Sequence, residues 1–120
     1  MNRHAFNDIT RKQWSIAEAA NMVVCAVTGS NGTGFVVRAD KHLQDARRRY
    51  GNDEVARARK KVNSAITELQ SLRRAIKKEC YSNTYFGAMQ AELRAALTLV
   101  DQVVKQLKAL TLKMESPAYV

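Results

Sequence analysis

Residues 52–80 read NDEVARARKKVNSAITELQSLRRAIKKEC. The apolar residues Val55, Ala58, Val62, Ala65, Leu69, Leu72 and Ile76 recur at alternating steps of three and four. That is heptad spacing, and it lays one apolar stripe along a helix. Asn52 is the predicted N-cap, and Asp53 and Glu54 follow where the helix dipole favours negative charge. Lys77 and Lys78 fall in the last turns, where cations are favoured.

The segment YSNT interrupts this pattern, and a second stripe begins. Phe86, Met89, Leu93, Ala96, Val100, Val103, Leu107, Leu110 and Met114 keep the same alternation. Two long helices joined by so short a link lie antiparallel. The sequence therefore predicts a helical hairpin of residues 52–80 and 85–115, each arm roughly 40 Å long at 1.5 Å per residue. Leu97, Leu99, Val104 and Leu112 fall outside the second stripe. So broad an apolar face calls for more than one partner helix, and these four residues are candidates for an oligomer interface.

The first half must supply further helices. Val36, Ala39, Leu43, Ala46 and Tyr50 step by three and four, and Gly51 stands where a helix-ending glycine would. Trp14, Ala17, Ala20, Val24 and Val27 mark one face of an earlier helix. Residues 1–9 read as a loose arm. The one proline, Pro117, lies near the end, so none interrupts a helix upstream of it. The predicted fold is all-α: one domain over residues 1–120, a bundle of about four helices built on the long hairpin.

Between the two earlier helices runs TGSNGTG, residues 28–34. A phosphate-binding loop of the GxxxxGK[ST] kind fails, because Phe35 and Val36 follow Gly34. The dinucleotide pattern GxGxxG fails on spacing. A β-hairpin over residues 22–38 has Asn31-Gly32, a favoured type I′ pair, in its support. Its flanks alternate poorly, however. The preferred reading is a connector, with Gly29 capping one helix and Thr33 opening the next.

The chain carries 20 Lys and Arg against 11 Asp and Glu, a net charge of +9. Nucleic acid, an acidic protein surface and an anionic membrane are the usual partners of such an excess. No apolar run approaches the roughly 18 residues of a membrane span, so a membrane partner is not expected. Cys25 and Cys80 form no CxxC pair, which fits a reducing, cytoplasmic setting, or a nuclear one in a eukaryote. His4 and His42 are the only histidines. With acidic residues few and scattered, no catalytic set, metal site or cofactor motif is legible.

The distribution of charge is more informative. Residues 47–78 hold eleven cations: Arg47, Arg48, Arg49, Arg57, Arg59, Lys60, Lys61, Arg73, Arg74, Lys77 and Lys78. Only Asp53, Glu54 and Glu68 oppose them. Opposite the apolar stripe of residues 52–80 stand Arg57, Lys60, Ser64, Thr67, Ser71, Arg74 and Lys78, a face of cations and hydroxyls suited to phosphate oxygens. Lys61, Lys77 and Arg47–Arg49 extend it. Tyr81 and Tyr85, next to Lys77 and Lys78, are candidates for stacking on bases. No helix-turn-helix, zinc-finger, RRM or KH signature is present. The expectation is a non-catalytic subunit gripping a DNA or RNA backbone without sequence preference, within a homo-oligomer or ribonucleoprotein assembly. The alternative is a protein-interaction module, a structural subunit or small inhibitor, that docks its basic face on an acidic protein.

Overall fold

The computed structural model describes residues 1–29 and 32–115. They form four helices: α1 (Arg3–Thr28), α2 (Thr33–Gly51), α3 (Val55–Cys80) and α4 (Gly87–Glu115). No strand occurs among the described residues. The helices run up and down in sequence, and α1 and α3 stand diagonally across the bundle. The bundle is elongated, 53 Å long and 22 by 19 Å across.

The heptad stripes build its core. Ala58, Val62, Ala65, Leu69, Leu72 and Ile76 of α3 are buried, as are Leu93, Ala96, Val100, Val103, Leu107 and Leu110 of α4. Val36, Ala39, Leu43 and Ala46 of α2 complete their side. Ile66 and Val104 widen the buried faces of α3 and α4, because each helix touches two neighbours rather than one.

Residues 1–9 are not a loose arm. α1 begins at Arg3, with the Asn2 side chain accepting a hydrogen bond from the Ala5 N–H at 2.8 Å. Its buried residues Phe6, Thr10, Gln13, Ala17, Ala20 and Val24 again alternate by three and four. Thr10 and Gln13 are polar, which concealed the stripe. The Thr10 hydroxyl donates to the Phe6 carbonyl and accepts from Arg47. The Phe6 ring stacks on Tyr50 at 4.2 Å, and the Tyr50 hydroxyl donates to the Met1 carbonyl at 2.6 Å. These contacts fasten the start of α1 to the end of α2.

The glycine-rich segment is a connector. Gly29 ends α1 in the left-handed conformation, φ 72°, with its N–H donating to the Cys25 carbonyl. Asn31 lies outside the described residues. Gly32, rather than Thr33, is the N-cap of α2. Its N–H donates to the buried Asn21 Oδ1 at 3.1 Å. Here glycine is needed for space: a Cβ at this position would lie 2.4 Å from Leu72 Cδ1. Trp14 adds a second tie, its indole N–H donating to the Val36 carbonyl at 3.0 Å.

Three expectations at the other turns are corrected. Asn52 caps the end of α2 rather than the start of α3, whose N-cap is Glu54. Gly51 is the last residue of α2, and the left-handed residue of that turn is Asp53, φ 60°. Phe86 and Met89, in phase with the α4 stripe, are 69% and 53% exposed. Gly32, at the start of α2, packs at the level of Leu72, so the α3–α4 end reaches past it and no helix of the described residues covers Phe86 or Met89.

Phe6→Ala should lower stability by roughly 3–5 kcal/mol, as loss of a buried aromatic does. Gly32→Ala should cost about 1–3 kcal/mol through overpacking. Urea unfolding followed by circular dichroism checks both. An unchanged midpoint for Phe6→Ala would return residues 1–9 to a loose arm.

Candidate nucleic-acid interface

The cations of residues 47–78 do not form one uniform face. Those at the α2–α3 side are largely taken up by acids. Asp45 accepts from Arg48, from Arg49 at 3.5 Å and from Lys61 at 3.3 Å. Glu54 pairs with Arg49 at 3.4 Å and Arg57 at 3.2 Å. Arg47 is partly buried against Thr10, and its guanidinium is pushed below its ordinary pKa by that burial and by nearby Arg11. Of these acids only Asp45 lies on α2, and it reaches across the helix interface to Lys61; Glu54, the N-cap of α3, holds Arg57 of its own helix and Arg49 of α2.

The hydroxyl row is also less open than expected. Ser64, Thr67 and Ser71 donate to the carbonyls of Lys60, Asn63 and Thr67, one turn back. Their protons are committed to the backbone, as hydroxyls within a helix often are. Ser71 accepts from Arg74 at 2.9 Å, which holds that guanidinium on the outer surface.

The opposite flank of α3 retains its charge. Lys60, Arg74, Lys77 and Lys78 are exposed and have no carboxylate partner among the described residues. Between α3 and α4 lies an open groove of about 610 Å³, lined by Gln70, Arg73, Arg74, Asp101, Val104, Lys105 and Lys108. Four cations converge there against one carboxylate, Asp101, which pairs with Arg73. Val104 is buried and forms an apolar part of the wall. Lys105 and Lys108 were not anticipated from sequence. They lie four and seven residues after Asp101, and this i, i+4, i+7 spacing on the α3 flank of α4 is the signal that could have found them.

The remaining candidates divide. Tyr81 is exposed at the α3–α4 turn, whereas Tyr85 packs against the core. Phe86, expected in the core, is the second exposed aromatic of that turn. Leu97 is half-buried against the core and Val104 is buried, so both belong to the bundle rather than to an oligomer contact; Leu99 and Leu112 are exposed.

His4 and Asp8, one turn apart on α1, form an exposed pair at 3.2 Å that the sequence reading overlooked. No group of three or more His, Cys, Asp or Glu able to hold a metal occurs among the described residues. No helix of the described residues is long and apolar enough to cross a membrane. Comparison with known protein families, curated proteins and solved structures gives no match.

The Asp45 cluster carries a pH dependence. The Arg48 hydrogen bond foremost, with Lys61 adding to it, holds the Asp45 carboxyl down at about 2. A depressed folded pKa stabilises the fold above the ordinary value, here 3.8, and that contribution disappears as pH falls through about 2. Asp45→Asn should therefore flatten the acid side of the stability profile between those values, measured as urea midpoints against pH. An unchanged acid limb would show that Asp45 contributes nothing to it.

Proposed function

We propose that the chain is a non-catalytic nucleic-acid-binding protein that takes the sugar–phosphate backbone along the α3–α4 groove and the adjoining outer flank of α3. The observation that carries this reading is the convergence of Arg73, Arg74, Lys105 and Lys108 on one groove beside a single carboxylate. Lys60, Lys77 and Lys78 extend the same basic flank along α3. A line of cations on rigid helices is the arrangement that a regularly charged polymer rewards, because each neutralised phosphate releases condensed counterions. Arg74 can engage phosphate oxygens through two N–H groups at once, Lys105 and Lys108 act as point charges, and Arg73, held by Asp101, adds its charge to the wall. Tyr81 and Phe86, at the α3–α4 turn beyond the groove, offer exposed rings to unpaired bases. The readout is of backbone charge, without base-edge specificity.

The affinity for random oligonucleotides should fall with salt. Arg74→Gln with Lys105→Gln should weaken binding to all sequences alike and flatten the log K against log[salt] slope by about 1.4–1.8 for the two contacts. Arg48→Gln, at a residue committed to Asp45, should leave the slope nearly unchanged. If the wild-type protein binds no oligonucleotide at low salt, the reading fails, and the groove is left to an acidic protein surface.

A further inference from the structure

A second heptad stripe runs along the outside of α4. Glu92, Ala95, Leu99, Gln102, Gln106, Ala109 and Lys113 recur at steps of three and four, and all seven are exposed. The first stripe of α4 is the bundle core; this one faces outward. It lies on the α1 side of α4, away from the basic groove: Glu92, Ala95 and Leu99 share an apolar furrow of about 350 Å³ with Val23 and Ala26 of α1. On a chain of net charge +9, this stripe holds one acid at its upper end, one cation at its lower end and no charge between.

The order of these residues reads nearly the same from both ends. Glu92 and Lys113 are terminal, Ala95 and Ala109 come next, Leu99 and Gln106 follow, and Gln102 stands near the centre. We propose that this face is the interface of a two-fold symmetric dimer in which α4 of one copy packs antiparallel on α4 of the other, crossing near Gln102. Antiparallel pairing sets Glu92 of each copy opposite Lys113 of its partner, giving two ion pairs related by the two-fold axis. It sets alanine opposite alanine, so the helix backbones approach closely, and it stacks Leu99 on the aliphatic part of Gln106. A parallel, in-register pairing would instead oppose Glu92 with Glu92 and Lys113 with Lys113, so the end charges select the orientation.

The charge distribution also selects the occupant. A second copy carries the same excess of cations, and it can approach only where neither surface presents them. A nucleic acid gains nothing from a face with one lysine and one glutamate. The stripe is long: the 22 residues from Glu92 to Lys113 rise about 32 Å, three heptads. A two-fold contact of this kind closes at two copies. It leaves the α3–α4 groove of each copy uncovered, and it does not depend on what that groove binds.

The test is sedimentation equilibrium of the full chain without nucleic acid. The wild-type protein should show twice the chain mass. Glu92→Lys and Lys113→Glu, each placing like charges in opposition, should each weaken association at least about tenfold, equivalent to 1.4 kcal/mol or more. The double variant Glu92→Lys with Lys113→Glu should restore association to near the wild-type level. Both positions are exposed, so circular dichroism should show all three variants folded as the parent. A monomeric parent at concentrations up to roughly 1 mM, a mass above the dimer, or a double variant no tighter than the single ones would each overturn the proposal.

Discussion

The bundle has 11 carboxylates for 20 cations, and where it places them decides what each surface can do. Asp45 and Glu54 gather Arg48, Arg49, Arg57 and Lys61 into one cluster at the α2–α3 side. On the other side of α3, α4 offers Asp101 alone to a groove of four cations. The two flanks of one helix are thus electrostatically different although its sequence is basic throughout. Neutralisation of one flank lets α2 pack against α3 without like-charge repulsion. The uncompensated flank keeps a field that can draw an anionic polymer.

The fold was largely legible because the heptad alternation survives in every helix. It was least legible where a core position is polar. Thr10, Gln13 and Asn21 are buried in α1, yet none reads as apolar, so the apolar pattern alone marks the helix only from Trp14. Each of Thr10 and Asn21 is satisfied by a named partner, Arg47 and the Gly32 N–H among them. Those partners lie far along the chain and could not be read locally. The reverse error occurred at Phe86 and Met89, where the phase is correct but the neighbouring helices end too soon to cover them.

The candidate interface was half legible. Charge counting along α3 found Lys60, Arg74, Lys77 and Lys78. It could not see that Asp45 of α2 would engage Lys61, or that the hydroxyls of Ser64, Thr67 and Ser71 would turn back to the helix. It also passed over Lys105 and Lys108, because α4 was read for its apolar content. Which cations remain available is a property of helix pairing, and pairing fixes it only once the bundle is assembled.

The proposal that nucleic acid lies along the α3–α4 groove can be read residue by residue. An amide ¹H–¹⁵N titration of the protein with a random-sequence oligonucleotide tests it most directly. The largest shift changes should fall at Gln70, Arg74, Lys105 and Lys108, weaken as salt is added, and leave the Asp45 cluster and the α1 face of α4 undisturbed. Shifts centred on α1 and α2, or no shifts at low salt, would contradict it.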